Sequence, residues 1–164
     1  MSLRAPALAL TVGLLLAACG PASLPPPDLD AGVVLTEDGG TVPLLELGTG
    51  TQTFAPLVAG QTVPVIAGPQ GGFHIWAAVR TRAPLDPTLL RLAVKVKFAG
   101  AELTSTDYRV TLVKNGPYAE WYGMTALVPD PDVVRGKPTT VEVVATDSAG
   151  RTATDSRSLI PSGP

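Results

Sequence analysis

Leu90-Arg91-Leu92-Ala93-Val94-Lys95-Val96-Lys97-Phe98 alternates large apolar residues with charged ones, except that Ala93 stands at one of the charged positions. Leu90, Leu92, Val94, Val96 and Phe98 fall on one parity, and Arg91, Ala93, Lys95 and Lys97 on the other. Successive side chains of a strand point to opposite faces, so this parity sets an apolar row against a core and a charged row in water. Wound as a helix, the same residues would put Leu92, Lys95 and Val96 on one stripe and mix charge into it. The stretch reads as a half-buried strand over Leu89–Phe98.

Similar runs recur from about Pro43 onward, separated by turn signals at a spacing of roughly 8–14 residues, the cadence of an all-β sandwich. The predicted strands are Leu44–Leu47, Thr53–Leu57, Val63–Ile66, Phe73–Thr81, Leu89–Phe98, Tyr108–Val113, Glu120–Leu127, Thr140–Thr146 and Ala153–Leu159. Asn115-Gly116-Pro117 marks a turn. Asp147-Ser148-Ala149-Gly150 predicts a terminal hairpin, with Gly150 free to take positive φ. Pro56 and Pro64 inside short runs predict edge strands, because proline cannot donate to a ladder. Pro84, Pro87, Pro129 and Pro131 break strands into crossing loops, and Asp86–Leu90 has room for one helical turn. Val141–Ile160 has the cadence of the last hairpin of bacterial Ig-like domains. The expected fold is all-β: a single Ig-like antiparallel β-sandwich over residues 43–161.

The start of the chain is of another kind. Arg4 supplies a positive charge, Ala5 to Ala17 is apolar except for Thr11, and Leu16-Ala17-Ala18-Cys19 closes the run. The apolar run is shorter than the roughly 20 residues a membrane span needs, and small residues stand before the Cys as in a cleaved leader. The segment resembles the lipobox of bacterial lipoprotein precursors. That resemblance implies a signal peptide over residues 1–18, cleavage before Cys19, and lipid on the Cys19 sulfur and usually on its new amino group. Two or more acyl chains anchor stably, at about 0.8 kcal/mol per buried CH₂. In enteric-type lipoproteins an Asp after the Cys often signals retention in the inner membrane, so with Gly20 there the resemblance implies the outer membrane. Residues 19–42 then form the lipidated Cys and a flexible linker, in which Pro25-Pro26-Pro27 favours extended polyproline II among acidic, apolar-poor neighbours.

Composition narrows the function. Removal of 18 residues from 164 leaves 146, a single-domain length. The formal charge is −2, and −3 without Arg4, with no basic run, so nucleic acid is not an expected partner. Cys19 is the only cysteine, so the domain has no disulfide to draw on and depends on its core. Seventeen Gly and seventeen Pro favour turns over long helices.

The segment most suited to a contact is Gly68-Pro69-Gln70-Gly71-Gly72-Phe73-His74-Ile75-Trp76, with the chain's single His and one of its two Trp. As a strand it puts Phe73, Ile75, Ala77 and Val79 on one face and His74, Trp76, Ala78 and Arg80 on the other. One reading makes Gln70, Phe73, His74 and Trp76 a binding surface. The other packs Trp76 in the core and makes His74 a hydrogen-bonded partner near the sheet edge. A phosphate loop is not expected, because a strand and not a helix follows the glycines. One His and no free Cys make a poor zinc site, and no metal or cofactor is expected. Asp28-Leu29-Asp30 fails the EF-hand pattern at its later positions. Asp130/Asp132 and Asp147/Asp155 could hold calcium at a loop end, although such aspartates commonly shape turns. There is no Gly-x-Ser-x-Gly and no evident Ser partner for His74, so no catalytic residues are assigned and the chain is not read as an enzyme.

Leu45-Glu46-Leu47-Gly48-Thr49-Gly50, Phe54-Ala55-Pro56-Leu57 and the segment Gly68–Trp76 together resemble a group of small myxobacterial lipoproteins. The resemblance implies an envelope location and a compact β domain, and carries over no catalytic residue. The expected function is a membrane-anchored, non-catalytic binding or structural module that contacts an envelope protein or glycan. The alternatives are a small-ligand or metal-binding sandwich centred on His74 and Trp76, and a hydrolase of another type. Oligomeric state is left open.

Overall fold

The computed structural model describes residues 33–35, 41–69, 71–83 and 85–164. In chain order its strands are β1 (Val33–Leu35), β2 (Thr41–Pro43), β3 (Leu45–Thr49), β4 (Ala55–Pro56), β5 (Gln61–Pro64), β6 (Ile66–Ala67) and β7 (Phe73–Thr81). They continue with β8 (Leu90–Phe98), β9 (Ala101–Val110), β10 (Val113–Asn115), β11 (Tyr118–Val128), β12 (Thr139–Thr146) and β13 (Thr152–Ser162). A helical turn, α1 (Pro131–Val134), joins β11 to β12. The leader, Cys19, the triple proline and Asp28/Asp30 lie outside the described residues, as does Gln70. Within the stretch read as linker, β1 pairs with β2 as a separate antiparallel ribbon.

Two sheets make the sandwich. One runs β10-β11-β7-β3-β4, with β6 also paired to β7, and the other runs β5-β13-β12-β8-β9. Labelled as immunoglobulin strands, β10-β11-β7-β3 is the D-E-B-A sheet and β13-β12-β8-β9 the G-F-C-C′ sheet. The short β5 lies parallel to β13; the other pairings are antiparallel. The fold is an Ig-like β-sandwich.

The parity of the sequence fills the space between the sheets. β8 contributes Leu90, Leu92, Val94 and Val96, and β12 contributes Val141, Val143 and Ala145. Opposite them stand Ile75, Ala77 and Val79 of β7 and Met124, Ala126 and Val128 of β11, all buried. Each such Val, Leu, Ile or Met stabilises by about 1.5–3 kcal/mol relative to exposure, which is how a domain without a disulfide holds together. On the solvent side of β8, Lys97 pairs with Glu142 at 2.7 Å, Lys95 with Glu102 at 3.3 Å and Arg91 with Asp107 at 3.0 Å.

Side chains close the gaps between sheets. β10 covers β11 only at Tyr118–Glu120, so the rest of that edge lacks a neighbouring strand. Hydroxyls of β9 satisfy it. Tyr108 Oη donates to the Thr125 carbonyl at 2.8 Å and accepts from the Thr125 N–H at 3.0 Å, and Thr104 Oγ1 donates to the Leu127 carbonyl at 2.6 Å. Elsewhere the Leu47 N–H of β3 donates to Asp155 Oδ2 of β13 at 2.7 Å, tying the two sheets.

Several local expectations change. The strand predicted at Tyr108–Val113 begins at Ala101 and ends at Val110, and Val113 belongs to the separate β10. Thr53–Leu57 is mostly loop, with only Ala55–Pro56 paired, and Val63–Ile66 splits at Val65 into β5 and β6. Asp86–Leu90 forms no helix; its residues make a turn in which the Asp86 carboxylate takes the Thr88 N–H and hydroxyl at 2.9 and 2.7 Å. The helical turn forms at Pro131–Val134 instead. Proline suits its first position, and Asp130 Oδ1 caps the Asp132 N–H at 2.9 Å. The prolines do sit at edges: β4 and β5, with Pro56 and Pro64, each end a sheet.

Candidate binding face of the sandwich

β7 is a central strand. β11 pairs with it along its length, while β3 pairs at Ala78–Thr81 and β6 at Phe73–His74 on the other side. Between these two, Thr49 Oγ1 donates to the Trp76 carbonyl at 2.8 Å. A partner strand therefore has no free edge here, and contact must come through the outward face.

That face carries His74, Trp76, Ala78 and Arg80, and it divides into two halves. Over one half lies the loop that follows β3. Gly50, at φ +123°, turns the chain back where a Cβ would stand 1.9 Å from the Thr53 carbonyl oxygen, so only glycine fits. The Gly50 carbonyl accepts from the Gly123 N–H at 2.9 Å, at a register break in β11 between Trp121 and Met124. Phe54 then rests over Gly48, whose paired neighbour Ala78 is fully buried although it faces outward.

From Phe54 a ladder of cations and rings continues along the sheet. The Arg80 guanidinium lies between the Phe54 ring at 4.5 Å and the Tyr118 ring at 4.2 Å, and pairs with Glu46 at 2.6 Å. Burial works against the charge of Arg80, but the hydrogen bond and attraction of Glu46 outweigh it and raise the pKa above the ordinary arginine value. Arg82 stacks on the same Tyr118 ring at 4.2 Å and donates to its hydroxyl.

The other half of the face is the candidate surface. Ile66, His74 and Leu127 form a cross-strand row, with Trp76 and Thr125 as the next pair. The His74 and Trp76 rings meet edge-to-face at 4.5 Å. Trp76 is partly exposed and Leu127 is 44% exposed, whereas His74 is 7% exposed. The His74 Nε2 is buried with no hydrogen-bond partner among the described residues. The reading that buried Trp76 in the core is thus corrected: parity puts the indole on the outward face, and the core positions of β7 go to Ile75, Ala77 and Val79. The accompanying picture of His74 as a hydrogen-bonded group near a sheet edge is corrected too, since its strand is central and its Nε2 unpaired. Phe73 packs partly against the core, on the opposite parity from His74 and Trp76.

The paired aspartates have structural work. Asp147 accepts four hydrogen bonds and Asp155 takes the N–H groups of Leu47 and Ser156 and the Arg157 guanidinium. Among the described residues no three His, Cys, Asp or Glu side chains group to hold a metal ion. The sequence reading missed the Phe54–Arg80–Tyr118–Arg82 ladder. Arg80 on β7 and Arg82 just past its end share a parity in the sequence, but Phe54 and Tyr118 arrive from distant segments that only pairing brings together.

No family model matches the chain, and no curated protein matches it. Among solved structures, it is similar to the CooA pilin subunit from enterotoxigenic Escherichia coli, at 15% identity over 74% of this chain and 99% of that one, with a TM-score of 0.28. The fold assignment rests on strand order, not on that likeness.

Proposed function

We propose that the protein is a lipid-anchored envelope module that binds a protein or glycan through the outward face of β7. The lipobox reading of Leu16–Cys19 supports the anchor. The observation that carries the binding role is Trp76 partly exposed beside His74, whose buried Nε2 lacks a partner, in a row with Ile66 and Leu127. A partly exposed indole beside apolar Ile66 and Leu127 offers apolar area and an indole N–H to one ligand, with His74 packed behind it, the usual composition of a recognition site. The rest of the outward face is filled by Phe54 and the arginine ladder, so contact concentrates on this half.

Two variants in intact cells test it. Cys19→Ala should leave the membrane fraction; continued pelleting with membranes removes the anchor. Trp76→Ala should lose the partner captured by crosslinking to the wild-type chain while unfolding within about 1 kcal/mol of it, as expected of a partly exposed side chain outside the core. Unchanged capture defeats the assignment of the face, and the identity of the captured material separates protein from glycan.

A further inference from the structure

A cavity of about 230 Å³ opens at the end of the sandwich where β7 leads to β8 and β10 turns into β11. Leu85, Pro87 and Leu112 give it apolar walls, and the Leu112 N–H donates to the Pro87 carbonyl at 2.9 Å, joining two of the loops that form it. Arg82 and Lys114 supply its charge, and no carboxylate lines it among the described residues.

This is unlike the rest of the surface. Of the eleven described Lys and Arg, seven are in ion pairs with a carboxylate. Lys137 donates to the Val133 carbonyl at 2.9 Å, and Arg109 stands exposed on β9. The two remaining cations, Arg82 and Lys114, meet in one cavity. Arg82 is also held in place. Its N–H donates to the Leu44 carbonyl at 3.2 Å, Tyr118 stacks on the guanidinium and accepts from it, and Nε is buried without an acceptor among the described residues. With Nε closed off, the terminal N–H groups are the ones that can meet a carboxylate in the cavity, and the stacked, half-buried guanidinium is pre-organised for it.

We propose that this cavity binds a carboxylate carried on a short apolar body. Arg82 receives the carboxylate, Lys114 adds a mobile point charge at the rim, and Leu85, Pro87 and Leu112 cover the aliphatic part. The size is consistent: 230 Å³ holds the volume of roughly eight waters at about 30 Å³ each, and lies below the ~300–1,000 Å³ of pockets for larger ligands. The ligand is therefore a short-chain acid or a single chain-terminal residue. These share one chemistry and differ in source. The site is separate from the His74/Trp76 half of the β7 face and stands or falls without it.

Calorimetric titration of the full chain in detergent with isovalerate and with N-acetyl-leucine tests this, with N-acetyl-leucinamide as the neutral control. At least one acid should bind with Kd at or below about 1 mM, and the amide at least about tenfold more weakly. Tighter binding of isovalerate identifies a free acid, and tighter binding of N-acetyl-leucine a peptide terminus. Arg82→Gln should weaken binding at least about tenfold and Lys114→Gln about threefold; Lys114 is exposed, so that variant keeps the fold if Arg82→Gln does not. No saturable binding of either acid, equal binding of the amide, or an acid affinity that Lys114→Gln leaves unchanged would overturn the proposal.

Discussion

Replacing Asp147 is expected to be among the most damaging single changes outside the core. Its side chain is fully buried at the turn between β12 and β13. Oδ1 accepts from the N–H groups of Ala149 and Arg151 at 3.0 and 2.9 Å, and Oδ2 from the Asp86 N–H at 3.2 Å and Arg151 Nε at 2.7 Å. One carboxylate thus closes the last hairpin and holds the loop between β7 and β8. Hydrogen bonds to a charged group contribute about 1.5–3 kcal/mol each, but they are not additive here, and the freed N–H groups lie near enough to the surface to regain water. Asp147→Ala should cost about 3 kcal/mol, and Asp147→Asn, which keeps an acceptor for the turn but loses the charge, about half that. At about 4 °C per kcal/mol for a domain of this size, the alanine variant should melt about 12 °C lower.

The same carboxylate sets a pH dependence. Burial pushes the Asp147 pKa up, but the N–H groups of Asp86 and Arg151 and the Arg151 guanidinium outweigh it and hold the value below the usual carboxylate range. A lowered folded pKa means that the group's contribution is fully present above the unfolded value of about 3.9 and is lost as pH falls through the folded value. Urea unfolding at pH 7 and down a series to pH 2.5 measures both effects. The gap between wild type and Asp147→Asn should be level above about pH 5 and narrow below about pH 4. A cost under about 1 kcal/mol for Asp147→Ala, or a gap as wide at the acid end as at neutrality, would refute the reasoning.

Other perturbations test separate parts of the fold. Ala99 holds a positive φ of 49° in the two-residue link from β8 to β9, so Ala99→Asn should raise stability by about 0.5–1 kcal/mol in urea unfolding. Tyr108→Phe removes the group that serves both the N–H and the carbonyl of Thr125, and should cost about 1–2 kcal/mol with faster amide hydrogen exchange at Thr125. Leu92→Ala opens the centre of the core and should cost about 2–5 kcal/mol by the same unfolding measurement.

Strands that bury one face were legible one by one. β7 spans Phe73–Thr81 as read, and β8 and β12 differ from their readings by one residue at one end, because each alternates an apolar core row with another kind of residue. The first half of β9 was not legible, and its residues say why. Its inward parity holds Thr104, Thr106 and Tyr108 in place of an apolar row, and the hydroxyls of Thr104 and Tyr108 serve the open edge of β11. The ends of the short strands failed similarly: β4, β5 and β6 are held by neighbours and have little pattern of their own.

The candidate site divides the same way. Parity alone put His74 and Trp76 together on the face opposite Ile75, Ala77 and Val79, because side-chain alternation is local. Which part of that face stays open was settled by a loop 20-odd residues earlier in the chain, where Gly50 turns Phe54 over Gly48 and Ala78. The cavity at Arg82 had no signature at all, since Lys114 and Tyr118 reach it through the pairing of β10 with β11 and of β11 with β7, and Leu112 through its hydrogen bond to Pro87. Local alternation and turn chemistry therefore decided the class of fold, the main strands and their buried faces. Strand order, the caps on open edges and the convergence of Arg82 with Lys114 belong to tertiary structure, because they depend on contacts between residues far apart in the chain.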